Sequence, residues 1–245
     1  MAYDIRWLRE DEWDQCLDLL AEVMDANRGY FSDSFKRMGA SASSLVLVAD
    51  GEIASHIRIF DRGRRVGDCL IRSAEVGDVC THPRHRGRGY MTALLNVAAQ
   101  FLFLRGFDIS SVYSGVPIYQ KAGWVAFPEP EQYLLWRLIN IKSLFSRTVP
   151  VFQARAKRLT ESFLGTIAIS CSGQQAFLEF TKDWLRPLDH SPSPDLRLDL
   201  DPPTFFRMLM GRDTPEELGL PNRLKLSARE AEVVAALFPK ARPNF

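Results

Sequence analysis

The sequence has little that would tie it to a metal, a membrane or a polyanion. Its four cysteines in 245 residues, Cys16, Cys69, Cys80 and Cys171, show none of the close spacings of zinc ligands or redox pairs. They read as reduced thiols of a cytosolic protein, and Cys80 as a small core residue rather than a nucleophile. Net charge is nearly absent: Lys and Arg number 31 against 30 Asp and Glu, a balance of +1 that gives no reason to expect nucleic acid or an anionic membrane as a partner. The first residues, with Asp4, Arg6, Arg9, Glu10, Asp11 and Glu12, lack the apolar core of a signal peptide. The longest apolar run, residues 93–104, is interrupted by Asn96 and Gln100. It falls short of the roughly 20 residues that span a bilayer, so no membrane insertion is expected. What remains is ordinary for a globular protein: 46% hydrophobic and 25% charged, with length enough for one large or two small domains.

What is present is one distinctive stretch, residues 79–95, VCTHPRHRGRGYMTALL. A short apolar strand ending in Val79 and Cys80 meets Pro83, then a basic turn punctuated by Gly87 and Gly89. A helix follows, because Met91, Leu94, Ala98 and Phe101 recur at helical spacing until Gly106. A helix start leaves backbone N–H groups unpaired and carries the positive end of the macrodipole. Glycines allow close backbone approach and arginines add bidentate donors, so the stretch reads as a pyrophosphate cradle. A Rossmann fingerprint would need glycine or alanine where Thr92 stands, and Asp108 falls where the next strand begins rather than at its end. A nucleic-acid patch would need a basic face, and these basic residues make a single loop.

The flanking pattern is a meander. Residues 3–8 read as a strand and residues 10–24 as a helix with Trp13, Cys16, Leu17, Leu20 and Val23 on one face. Residues 45–49 and 53–60 flank Asp50-Gly51, a hairpin turn. A second turn is expected at residues 61–64, then a strand over 70–81. After the long helix, residues 107–113 read as a strand and 116–122 as a short helix ending at Gly123-Trp124.

The run Pro83-x-x-Arg86-Gly87-x-Gly89-x-x-x-x-Leu94-Leu95 resembles the acetyl-CoA loop of the GNAT acyltransferases, arginine-x-x-glycine-x-glycine/alanine. Arg86 and Gly89 match, and Met91 stands where the family has glycine or alanine. The segment Ser114-Gly115-Val116-Pro117-Ile118-Tyr119-Gln120-Lys121-Ala122-Gly123-Trp124 resembles the family's second motif, tyrosine-x-x-x-glycine-aromatic after a splayed fifth strand. The resemblance implies an α+β fold with a mixed sheet and flanking helices, and an acetyl-CoA-dependent N-acetyltransferase acting by direct transfer, without a metal. It implies that the backbone of Val79, Cys80 and Thr81 pairs with the pantetheine arm. It places the pyrophosphate on Arg86, Gly87, Arg88, Gly89, Tyr90, Met91 and Thr92, with Ser114 also on the cofactor side. Tyr119 would protonate the leaving sulfur, as a phenol with pKa near 10 can. Glu75 lies where the histone-acetylating branch places its general base, and Asp78 could take the same role. His82 and His85 are expected on the loop surface. The acceptor is an amine, small or peptidic; Asp25 and Asp33, in the stretch that shapes the acceptor side in this family, would suit a cationic one.

Composition shifts after the proline-punctuated connector at residues 127–131. Residues 134–139 read as a strand, Asn140 as the cap of a helix that Pro150 should kink or restart, and 165–170 with 175–180 as a hairpin. Leu196, Leu198 and Leu200 alternate with charged residues as a half-buried strand. Asp201 caps a helix with Pro202 first, and Ser227 with Glu230 forms a capping box. This half, with Leu138-Ile139-Asn140, Gly165-Thr166 and Leu237-Phe238-Pro239, resembles the sterol-carrier-protein-like domain of acetyltransferases of the enhanced-intracellular-survival type. Those carry two GNAT modules, whereas 245 residues leave room for one. The expected division is 1–131 for the GNAT domain and 132–245 for the carrier-like domain, with homo-oligomers left open. In that type the terminal carboxylate acts as base, which here would fall on Phe245, ahead of Glu75 or a water. Seven residues from Pro239 can span roughly 20 Å. The other reading is an acyl-CoA or lipid-binding module without turnover.

Overall fold

A computed structural model describes residues 3–39, 42–126, 134–159 and 161–241. The meander is there: β1 (Tyr3–Trp7), β2 (Ala42–Ala49), β3 (Glu52–Val66) and β4 (Cys69–Thr81) pair in antiparallel sequence. Asp50 and Gly51, both at positive φ, make the β2–β3 turn as expected. The turn expected at residues 61–64 is instead continuous strand. β3 runs through Gly63 because residues 61–66 keep their register with 69–74, and the chain reverses at Gly67-Asp68.

Between β1 and β2 lie two helices, α1 (Trp13–Met24) and α2 (Arg28–Met38). The stretch that holds Asp25 and Asp33 is largely helical. Asp25 does end α1, in a left-handed conformation, but Asn27 then caps a new helix through its side chain and Gly29 N–H at 2.7 Å. Buried Leu17, Leu20, Phe31 and Phe35 seat this pair on one sheet face against Val46, Ile53 and Cys80. The opposite face is covered by α3 (Tyr90–Leu104), whose Leu94, Ala98 and Leu102 pack on Leu45, Leu47, Ile57 and Ile59.

β5 (Ile109–Tyr113) joins β4 in parallel; α4 (Ile118–Lys121), β6 (Val125–Ala126) and β7 (Leu134–Leu138) follow. The sheet order is β1-β2-β3-β4-β5-β7-β6, seven strands. β7 hydrogen-bonds to β5 from Tyr113↔Leu134 to Ile109↔Leu138, so this strand, read from sequence as the start of the second half, completes the first sheet.

α5 (Ile141–Ala156) is capped by Asn140 as expected, and runs uninterrupted through Pro150. Proline removes the partner of the Ser146 carbonyl, and Ser146 is exposed, where water can replace it. β8 (Gly165–Cys171), β9 (Gln174–Phe180), β10 (Leu185–Leu188) and β11 (Leu196–Leu200) form a second sheet in the order β10-β9-β8-β11, with β11 parallel to β8. α6 (Pro202–Leu209), α7 (Leu220–Arg223) and α8 (Ala228–Leu237) close the chain; Asp201 and the Ser227–Glu230 box cap α6 and α8. The whole is an α+β fold with a large mixed sheet and a second, four-stranded one. Ile71, Ile109 and Trp136 of the first sheet share one buried core with Leu144, Phe145 and Phe206. No helix among the described residues is long and apolar enough to cross a membrane.

Candidate functional site

β4 and β5 pair only from Ser73↔Ile109 to Val76↔Val112. Beyond Val76, β4 continues to Thr81 while β5 ends at Tyr113, so the two strands part and leave a fork. Val79, Cys80 and Thr81 form one edge of it. Cys80 is buried, and burial pushes its thiol up to about 12, which makes it a core residue and no nucleophile.

The sheet carries a bulge at the same place. His56 pairs with Cys80 and Arg58 with Gly77, so β4 has one residue more than β3, and Asp78 takes the left-handed φ of 47°. Gly77 inside a strand-like run was the sequence signal for it. The bulge is braced by residues that sequence reasoning missed. The carbonyl of Asp78 is 2.7 Å from His56 Nδ1, which must therefore be the protonated nitrogen. His56 is fully buried, and burial lowers its pKa to about 4. Arg58, only 2% exposed, lies over the rings of Phe35 and Phe60, donates to Ser34, and reaches Asp78 Oδ2 at 3.5 Å. Burial raises the Asp78 carboxyl pKa, with Arg58 opposing. Glu75 points from the same face as Gly77 and is 3.4 Å from Arg62 Nε.

Past Thr81 the chain makes a 3-10 turn at Pro83–His85 and enters α3 through Gly87 and Gly89, both at φ 77°. A β-carbon at either glycine would meet no atom within 4 Å, so the open side of this backbone is free for a ligand. No side chain caps α3. Ala93 N–H bonds back to Gly89, and the residues ahead of it, Tyr90, Met91 and Thr92, line a cavity of about 300 Å³ with Thr81, Arg86, Gly87 and Gly89. Arg86 Nε donates to the Thr81 carbonyl at 3.3 Å, which sets the guanidinium beside the end of β4. Arg88 lies 3.7 Å from Asp50.

The two histidines are not on the loop surface. His85 is buried, with Nε2 2.7 Å from Glu52, because it fills the space under the loop against Tyr90. His82 is partly buried; its Nδ1 accepts from Arg84 N–H and caps the 3-10 turn.

Across the fork, α4 carries Tyr119, 6% exposed and edge-on to Trp124. Burial pushes its phenol up to about 12; a side-chain hydrogen bond with Ser114 works against that, and Cys80 lies within electrostatic reach. Ser114 Oγ also accepts from Val116 N–H, so it orients the turn and the phenol together. The structure thus brings 79–81, 86–92, Ser114, Tyr119, Glu75 and Asp78 around one fork. Asp25 ends a helix and Asp33 is exposed on α2. Phe245 lies outside the described residues.

An uncapped helix end beside a strand fork can hold a phosphate-bearing chain, and comparison with known proteins gives the lineage. No curated protein matches the chain. The fold resembles that of a conserved protein of unknown function from Enterococcus faecalis V583, with TM-score 0.74, 10% identity, and coverage of 99% of this chain and 98% of that one. Eis1 from Mycobacterium abscessus is similar at TM-score 0.64 and 12% identity, covering 100% and 99%. YhbS of Escherichia coli, a GNAT family N-acetyltransferase in complex with CoA, is similar at TM-score 0.50 and 15% identity, over 58% of this chain and 84% of that one. The acetyltransferase (GNAT) domain model matches residues 4–127, half of the chain, and the protein belongs to the GNAT acetyltransferase family.

Proposed function

We propose that the protein is an acetyl-CoA-dependent N-acetyltransferase that transfers the acetyl group directly to an amine bound beside it. The observation that carries this reading is the fork between β4 and β5, with the uncapped start of α3 at its mouth and the Tyr119 phenol at its side. The glycines that a β-carbon would fill fit a pyrophosphate, and YhbS, which shares the fold, is in complex with CoA. Acetyl-CoA supplies an activated thioester. In this reading the first-turn N–H groups of α3 and Arg86 hold the pyrophosphate, and the backbone at Val79, Cys80 and Thr81 lies along the pantetheine arm. A backbone N–H of the bulge polarises the carbonyl. The amine must shed a proton before attack, and Glu75 or Asp78, on either side of Gly77, takes it. Tyr119 keeps its proton at neutral pH because of its burial and presents it to the sulfur.

The second half, from β8 on, is read as a carrier-like module that covers the first sheet and shapes the acceptor side. The other reading is a lipid-binding role without turnover. Incubation with acetyl-CoA and a panel of amines, followed by mass spectrometry, tests the proposal. A product heavier by one acetyl group is expected. Retained lipid with no acetylated amine would favour the carrier reading.

A further inference from the structure

Of the nine buried side-chain polar atoms without a partner among the described residues, which native proteins mostly avoid, four lie on one patch of the first sheet. Among the described residues, Arg62 Nε, Arg64 Nε, Ser73 Oγ and Ser111 Oγ are buried and lack a hydrogen bond. All four belong to the same face of three adjacent strands. Arg62 is opposite Ser73, Arg64 opposite Ile71, and Glu75 is beside Ser111. Ser73 and Ser111 are themselves fully buried.

Arg64 defines the patch. Its guanidinium lies 5.4 Å from the Trp136 ring on β7, although β4 and β5 intervene. With strands about 4.8 Å apart, the arginine can reach that ring only by lying across β4 and β5, over the serines. Arg62 has Glu75 as a counter-charge at 3.4 Å; Arg64 has no acidic partner among the described residues. Both arginines keep part of their surface open to solvent, although the four unpartnered atoms themselves are buried. Along β4, Glu75 is one pleat, about 7 Å, from Gly77 and the fork, and Ser73 is two pleats away. A planar guanidinium fork without a counter-charge is suited to a carboxylate.

We propose that this patch binds a carboxylate of the acceptor, so that the substrate is an amine that also carries a carboxylate, the amine toward Glu75 and the carboxylate on Arg64. The inference rests on the acetyl-transfer reading above. It differs from the cationic amine expected from Asp25 and Asp33, which lie at the end of α1 and on α2 rather than on the sheet face.

The first test is a thermal shift with saturating CoA, which occupies the other anion site. Malonate at about 10 mM should raise Tm by about 3 °C over chloride of equal ionic strength. The rise should vanish in Arg64→Gln and shrink in Ser111→Ala, a milder variant should the first fail to fold. No rise in the native protein, or an equal rise in Arg64→Gln, overturns the proposal. The second test compares turnover of phenylalanine with phenethylamine and of lysine with cadaverine, pairs that differ by one carboxylate. A preference for the acids of at least about tenfold in kcat/KM, lost in Arg64→Gln, is expected. Equal use of the decarboxylated amines contradicts it. Failure of CoA itself to stabilise the native protein would count against the acetyl-transfer reading, and the Arg64→Gln comparison with malonate would still decide this one.

Discussion

At Tyr119 and His56, burial decides chemistry. The Tyr119 phenol, pushed up to about 12, is protonated throughout the working range of pH. If it donates to the departing sulfur, Tyr119→Phe should lower kcat by about 10²–10⁴-fold with little change in KM for acetyl-CoA, measured by steady-state kinetics. A loss below about threefold would assign the proton to water. His56 makes the fold sensitive to acid. Its imidazole titrates near 4 in the folded protein against 6.5 for an unperturbed ring, so the unfolded chain binds the proton more readily. The stability this confers is present above pH 6.5 and is lost as pH falls toward 4. A shift of that size corresponds to about 3 kcal/mol. Glutamine at this position can still donate to the Asp78 carbonyl but cannot titrate. Denaturant melts of native protein and His56→Gln at pH 7.5 and 4.5 should therefore show a steeper loss in the native protein. Equal slopes would mean that His56 is not buried neutral.

At the scale of elements, the entry to α3 depends on backbone alone. Gly89→Ala meets no steric clash, yet places a β-carbon at a left-handed φ of 77° and in the open side of the loop. It should cost about 1–2 kcal/mol of stability. It should also weaken acetyl-CoA binding at least about tenfold by calorimetry; unchanged affinity would remove the loop from the cofactor site. Such loop and cap chemistry was legible in the sequence because it is local. Asn140, Asp201 and Ser227 cap the helices expected of them, Asp50-Gly51 makes its turn, and the hairpin expected over residues 165–180 forms as β8 and β9. Features that depend on partners were not legible. α2 begins at Arg28-Gly29, a poor helix start, and is held by burial of Phe31 and Phe35. β3 passes through Gly63 because β4 pairs with it. For the same reason the glycine-arginine turn into α3 could be read in advance, whereas the Arg58–Asp78–His56 brace could not. A polar residue in a strand does not announce whether it is buried.

Over the whole molecule, the two sheets share one buried core, and Asp108 ties the first sheet to α5. This buried carboxylate accepts Arg72 N–H at 2.7 Å and lies 3.1 Å from Arg147 Nε on α5. Its own carbonyl receives the N–H groups of Ile139 and Asn140, where the chain leaves the first sheet. Thermal unfolding should be a single calorimetric transition. Asp108→Ala, which strands a buried N–H and an arginine, should lower stability by about 2–3 kcal/mol for that one transition. Two separable transitions would show the halves to be independent domains.

The account as a whole stands on acetyl-CoA lying across the start of α3. Calorimetric titration of acetyl-CoA into native protein and Arg86→Glu tests this most directly. The native protein should bind one equivalent. The variant, folded by circular dichroism, should lose at least about tenfold in affinity, since one charge-assisted pair gives about 1.5–3 kcal/mol and repulsion adds to its loss. No binding by the native protein, or equal affinity in the folded variant, would contradict the account.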